Sequence, residues 1–189
     1  MSGPQQRLFF ALRPPPAAVA AIHAVAASLR DTRAIAGRWT NADKYHVTLQ
    51  FLGTHSGVPP PLLAAALQAG AGLVHAPCEV ALDRVWHFHG GRQAPCVLLA
   101  DAASHAALQD LYAALGAALR AHDASIDQRR DYAPHMTLAY GAMHAAAPVA
   151  IEPIRWRARE FTLMLSHVGS GRHEQLARWP LSASTKVDL

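Results

Sequence analysis

A chain of 189 residues with 51% hydrophobic and 16% charged side chains can bury a proper core, and that balance excludes an intrinsically disordered protein. The net charge of +4 rests on fifteen arginines against two lysines; guanidinium's planar fork favours an anionic, phosphate-bearing partner, unless the bias reflects only genome composition. No apolar run reaches membrane-spanning length, and Arg7 and Arg13 bracket too short an apolar stretch for a secretory signal, so a cytoplasmic protein with no membrane partner is expected.

Arg7 to Leu12 reads as an opening strand stopped by Pro14, Pro15 and Pro16. Prolines suit a helix's first turn, and a helix to about Arg30 follows, with Val19, Ile22, Val25 and Leu29 at three- and four-residue steps. Arg38-Trp39-Thr40 leads into a strand that ends at Gly53. Pro59 to Pro61 open a second, alanine-rich helix reaching about Leu73. Strands are then expected at Cys78 to Leu82, Asp83 to Phe88 and Cys96 to Ala100, with Gly90-Gly91 turning between the last two. The clearest helix spans Ala106 to His122, where Leu108, Leu111, Leu115 and Leu119 share one face that belongs in the core. A strand follows Pro134. The tail holds a strand near Arg159 to Ser166, a Gly169-Ser170-Gly171 turn and a last strand around Glu174 to Trp179. Cys78 and Cys96, the only cysteines, lack metal-ligand spacing and form no disulfide framework.

Two of these strands carry the same phrase. His46-Val47-Thr48-Leu49-Gln50-Phe51 returns as His135-Met136-Thr137-Leu138-Ala139-Tyr140, each reading histidine, any residue, threonine, leucine, any residue, aromatic. With twelve histidines, random placement gives about 0.4 bare His-x-Thr triplets, and the added leucine and aromatic make a matched pair improbable, so the chain contains an internal repeat. On a strand, residues two apart share a face. Each copy then presents an imidazole and a hydroxyl side by side, with Leu49 and Phe51, or Leu138 and Tyr140, facing the other way. The element order suggests α+β layers with helices on one face of each antiparallel sheet.

These residues resemble the two-histidine phosphoesterase superfamily, and within it the RNA 2′,3′-cyclic phosphodiesterases, also called LigT-like or 2′-5′ RNA ligase-like proteins. The likeness covers nearly the whole chain. It is carried by Arg7-Leu8-Phe9-Phe10-Ala11-Leu12 before the prolines, by Arg38-Trp39-Thr40 and His46 to Gly53, by Tyr132-Ala133-Pro134-His135 to Ala139, and by Leu176-Ala177-Arg178-Trp179-Pro180-Leu181. The resemblance implies an α+β, bilobal, pseudo-twofold arrangement of antiparallel sheets with helices on the outer faces and a central cleft. Residues 1–189 would form a single domain of two similar lobes. One departure stands out: Tyr140 occupies a position where many members carry arginine, and Arg129 and Arg130 lie close by in sequence, Arg130 being a possible substrate contact.

The chemistry fits the pair. Opening a 2′,3′-cyclic phosphate requires water to lose a proton on one side of phosphorus and the leaving sugar oxygen to gain one on the other, and imidazoles titrate in the right range. The two copies look alike, so spacing leaves acid and base unassigned; the resemblance implies His46 as general acid and His135 as general base, leaving a 2′-phosphate. Thr48 and Thr137 can donate to the nonbridging oxygens. No cofactor or metal is required. The expected partners are RNA ends or small cyclic-phosphate nucleotides, bound by a monomer; the alternatives are a cyclic phosphodiesterase acting on small nucleotides or an ADP-ribose cyclic phosphate and, from another class, a non-catalytic RNA-binding module of the same fold. His87-Phe88-His89, with His144 and His167 unplaced, raises a metal site as a rival, although no Asp, Glu or Cys cluster completes one. Trp39, Trp86, Trp156 and Trp179 could stack on bases or pack in the core, and Arg155, Arg157 and Arg159 could line a strand face as a phosphate track or a solvated surface.

Overall fold

A computed structural model describes residues 5–32, 35–88, 94–124, 126, 131–143 and 147–183. Within them run β1 (Gln6–Leu12), α1 (Pro16–Asp31), β2 (Ile35–Trp39), β3 (Val47–His55), α2 (Pro60–Gly72) and β4 (Cys78–His87). There follow β5 (Pro95–Ala100), α3 (Ala102–Ala121), β6 (His135–Met143), β7 (Val149–Ala158), β8 (Glu160–His167) and β9 (Arg172–Pro180). No helix among the described residues is long and apolar enough to cross a membrane.

Helix starts follow local chemistry. Proline occupies the first turn of α1 and α2, where its missing N–H costs nothing. The third helix begins at Ala102, earlier than the leucine pattern indicates, because the Asp101 carboxylate caps it by accepting from Ser104 N at 2.8 Å. Two expected strands between Cys78 and Phe88 are one. Its ladders slip between Leu82 and Arg84, where a bulge lies within the continuous strand. The Gly90-Gly91 turn, His89, Arg129, Arg130 and His144 lie outside the described residues.

All strands join one antiparallel sheet in the order β7-β4-β5-β6-β3-β1-β8-β9, with β2 paired to β6. The fold is α+β. Apart from β2, the sheet has two halves of four strands, and they meet at β6 and β3, whose ladder holds the single registered pair Val47 and Met136. Each half places a copy of the repeated phrase on its innermost strand, so the duplication in sequence becomes a juxtaposition in space.

The helices cover one face. Leu8, Phe10 and Leu12 of β1 join the main core beneath them, whereas Phe9 and Ala11 turn to the opposite face and pack with Met164. Ala18, Ile22 and Ala26 are the buried stripe of α1, flanked by Val19, Val25 and Leu29. The expected stripe of α3 is fully buried, with Leu108, Leu111, Leu115 and Leu119 at 0% exposure; truncating any one to alanine should cost about 2–5 kcal/mol. Helix α2 sits close on the far half: a β-carbon added at Gly70 would meet the Trp179 ring at 2.6 Å. Trp179 itself packs against Phe10 and Phe161, and Trp156 is buried, so both belong to the core rather than to a ligand. Arg155 and Arg157 stand on the solvated side of edge strand β7, beside Asp101 and Glu79 at 3.7 and 3.6 Å.

Candidate active site

The face opposite the helices carries a cleft of about 870 Å³, and His46, Thr48, His135 and Thr137 all line it. Strand pairing explains why they converge. About the Val47–Met136 pair, antiparallel register sets His46 opposite Thr137 and Thr48 opposite His135. The imidazoles occupy one diagonal of a four-residue patch and the hydroxyls the other. Diagonal neighbours in a sheet stand about 7–8 Å apart, somewhat less at Cβ, room for one tetrahedral anion between two side chains.

Each imidazole is held the same way. His46 Nδ1 donates to the Lys44 carbonyl and His135 Nδ1 to the Ala133 carbonyl, both at 2.7 Å and both two residues back. With Nδ1 carrying the hydrogen, a neutral ring keeps its lone pair on Nε2. Each ring also rests near a phenylalanine: Phe9 lies 5.0 Å from His46 between ring centroids and Phe88 4.9 Å from His135. The Lys44 carbonyl is offered by a single 3-10 turn at Ala42–Lys44, tied to the end of β1 by Arg13 Nη2 donating to Asp43 O at 2.9 Å. The halves are stitched beside the patch as well. Tyr132 Oη donates to Thr48 O at 2.9 Å while its ring stacks on Tyr112 at 4.2 Å.

Burial pushes the His46 pKa down to about 4, opposed by its bond to Lys44 and helped by His173, His135 and Arg13, so the ring is neutral at pH 7 in the unliganded cleft. His173 is pushed down too, chiefly by burial and then by Lys44. Its ring centroid is 5.8 Å from that of His46, making it a further imidazole in the cleft. Sequence reasoning missed it: only the β8–β9 hairpin, which pairs His173 with Ser166, brings it there.

The alternation expected along the repeated phrase fails at one point in each copy. In the β1–β3 ladder, Ala11 pairs with Thr48 and Phe10 with Gln50, so Leu49 is skipped. In the β5–β6 ladder, Val97 pairs with Thr137 and Cys96 with Ala139, so Leu138 is skipped. A bulge reverses which face later residues take. Phe51 and Tyr140 therefore line the cleft with the histidines instead of facing away. Gln50 turns inward, 1% exposed, and its Nε2 donates to Tyr112 O at 2.8 Å, tying β3 to α3.

Cations ring the patch. Arg7, Arg38 and Lys44 line the cleft, and Arg38 lies with its guanidinium carbon 5.3 Å from the Tyr140 ring centroid. Arg38 pairs with Tyr140 across β2 and β6, so a guanidinium reaches the position where the resemblance expects arginine, delivered from the neighbouring strand. Trp39 also lines the cleft, whereas Trp86 lies against His87. His167 lines the cleft and lies 3.4 Å from Glu174, which Arg172 contacts at 2.6 Å. Among the described residues no three His, Cys, Asp or Glu side chains gather as metal ligands.

A family model described as the 2′-5′ RNA ligase superfamily matches residues 11–171. An RNA 2′,3′-cyclic phosphodiesterase of Geobacillus stearothermophilus is 36% identical over 103 residues, which are 53% of this chain and 31% of that protein; the match therefore spans about a third of the relative's length. The crystal structure of E. coli LigT in apo form superposes with a TM-score of 0.73 at 28% identity, covering 95% of this chain and 99% of that one. E. coli LigT complexed with 3′-AMP gives 0.71 at 27% identity over the same shares. The MHV ns2 PDE domain shares the fold alone, with a TM-score of 0.52 and 14% identity over 94% of this chain and 97% of that domain.

Proposed function

The chain belongs to the 2′-5′ RNA ligase superfamily of two-histidine phosphoesterases, and from that premise we propose that it opens 2′,3′-cyclic phosphates at RNA ends to leave 2′-phosphates. The observation that carries this reading is the diagonal of two Nδ1-anchored imidazoles across the β3–β6 junction, with a hydroxyl beside each. His135 takes a proton from water as its oxygen attacks phosphorus. The bond from phosphorus to the 3′ oxygen breaks, and His46 gives that oxygen a proton. Thr48 and Thr137 donate to the nonbridging oxygens, where charge builds in the transition state. In this scheme residues 1–189 act as one catalytic unit whose two half-sheets each supply a histidine and a threonine.

General-acid duty requires a protonated His46, and burial opposes that in the empty cleft. The phosphate supplies the remedy. A unit negative charge about 4 Å away, at an effective dielectric constant of about 20, favours the imidazolium by about 4 kcal/mol, on the order of three pKa units. His46 thus gains its proton as the anion binds.

Support for RNA as the substrate class comes from Arg7, Arg38 and Lys44 around the cleft and from the excess of arginine. Nucleotide ligands gain support from the relative solved with 3′-AMP. The test is a short oligonucleotide ending in a 2′,3′-cyclic phosphate, incubated with and without chelator. The proposal expects a 2′-phosphate product formed equally fast in both. An unopened ring or a 3′-phosphate product would overturn it, and loss of activity on chelation would overturn the metal-independent scheme.

A further inference from the structure

We propose that His173 and Lys44 form a second phosphate site on the cleft wall beside His46, and that it takes the phosphate carried on the 5′ oxygen of the terminal nucleotide. The inference rests on the phosphoesterase reading above and deepens it. The preferred substrate becomes a cyclic phosphate that continues into a 5′-phosphate or an RNA strand, rather than a bare nucleoside.

The first observation is how differently the imidazoles of the cleft are held. His46 and His135 are each anchored through Nδ1 to a carbonyl two residues back. His173 is half-buried, and its ring makes no hydrogen bond to a described residue. It packs edge-on instead, 5.8 Å from His46 and 6.0 Å from Phe9 between centroids. Phe9 is in turn packed with Ala11 and Met164, so the His173 ring is placed without being satisfied. Such a ring can donate to a phosphate oxygen in either charge state.

The second observation is Lys44. Its carbonyl holds His46, while its ammonium lies under the tip of the β8–β9 hairpin. A β-carbon added at Gly171 would stand 3.0 Å from Lys44 Nζ, so the glycine is what lets the hairpin come down on the ammonium. Among the described residues no carboxylate lies within ion-pair distance of Lys44. The charged neighbours acting on His173 are Lys44 and Arg13 against Asp43, which leaves this wall net positive. An ammonium beside an imidazole gives charge-assisted bonds to a phosphate.

Spacing supplies the third observation. In the scheme above the 3′ oxygen departs toward His46. The carbon bearing it leads through the neighbouring ring carbon to the 5′ oxygen, so the 5′ phosphate emerges on the His46 side of the catalytic patch. The two phosphates of one nucleotide are separated by a distance comparable to the 5.8 Å between the His46 and His173 rings. A single nucleotide thus bridges the two sites, and a cleft of about 870 Å³ has room for it.

The first pair of probes is adenosine 2′,3′-cyclic phosphate with a 5′-hydroxyl or a 5′-phosphate. The second pair is adenylyl-adenosine 2′,3′-cyclic phosphate with its linking phosphate native or replaced by an uncharged methylphosphonate. Wild type should prefer the member charged at the 5′ oxygen, and the pair that shows the preference identifies the source as a monoester or a strand. His173→Phe keeps the ring packing and removes both nitrogens; it and Lys44→Met should each cut the preference about tenfold in kcat/KM, the size of one lost hydrogen bond to a charged group. A second readout needs no turnover: calorimetric binding of adenosine 2′-phosphate and adenosine 2′,5′-bisphosphate at constant ionic strength, with the same loss expected. Indifference of wild type to the 5′ charge in both pairs, or equal weakening of charged and uncharged members in the variants, would overturn the second site and leave the hydrolytic reading standing. A protein that opens none of these rings but still loses its preference for the bisphosphate on His173→Phe would refute the hydrolytic reading while leaving the second site standing.

Discussion

His46 and His135 stand diagonally across the Val47–Met136 pair, and each donates from Nδ1 to the carbonyl two residues before it at 2.7 Å. The same local geometry occurs twice because the same phrase occurs twice, and the sheet lays one copy against the other. The arrangement also makes each threonine the cross-strand neighbour of the other copy's histidine, so neither strand can form the site alone.

If the threonine hydroxyls stabilise transition-state charge, Thr48→Val and Thr137→Val should each lower kcat about 10²–10³-fold. Urea unfolding midpoints should change little, because both residues are only half-buried on the cleft face. A kcat within threefold of wild type in both variants would remove the hydroxyls from the mechanism.

Anion binding should pull a proton onto the cleft. Sulfate is a suitable probe because its own charge is constant from pH 5 to 8. Its affinity should rise as pH falls toward 5, since His46 starts near 4 when free and ends higher when paired with the anion. Calorimetry in buffers of different ionisation enthalpy should report net proton uptake. A pH-independent affinity with no uptake would contradict the coupling.

Folding stability carries the opposite signature. The folded protein holds His46 below its ordinary value of 6.5, so the unfolded chain binds a proton that the native ring refuses. The stabilisation is complete above pH 6.5 and is lost as pH falls toward 4. By pH 5 the loss attributable to His46 is about 2 kcal/mol, read from urea unfolding of wild type against His46→Asn. His173 acts in the same direction. Parallel pH dependences in the two proteins would show that His46 is not the group responsible.

Gly37→Ala should damage the cleft from a distance. A β-carbon there would meet the Tyr140 carbonyl oxygen at 2.1 Å and Gly141 Cα at 2.7 Å, backbone atoms that no rotamer change can move. Strand β2 would have to shift off β6, taking Arg38 with it. The expected result is about 1–3 kcal/mol of lost stability together with weaker sulfate binding. Wild-type values for both would contradict this pairing.

Much of this was legible in sequence, for a physical reason: residues two apart share a strand face, so the phrase itself aligned imidazole with hydroxyl. The prolines and the leucine stripe marked the helices equally directly. What alternation cannot reveal is a bulge. Skipping Leu49 and Leu138 leaves composition unchanged yet moves Phe51 and Tyr140 to the opposite face. Strand β7 was legible only where Arg155 and Arg157 alternate along a strand face; Pro153 interrupts the pattern before them and is tolerated because β7 is an edge of the sheet. His173 and Arg38 reached the cleft through pairings between distant segments, which no local pattern encodes.

The most direct test substitutes His46→Ala and His135→Ala separately and follows opening of a 2′,3′-cyclic phosphate on an oligonucleotide, with unfolding midpoints measured alongside. Loss of one proton-transfer group should reduce kcat by at least 10²-fold in each, and the double variant should lose little more than either single. Either protein retaining activity within tenfold of wild type would contradict a reaction shared between the two imidazoles.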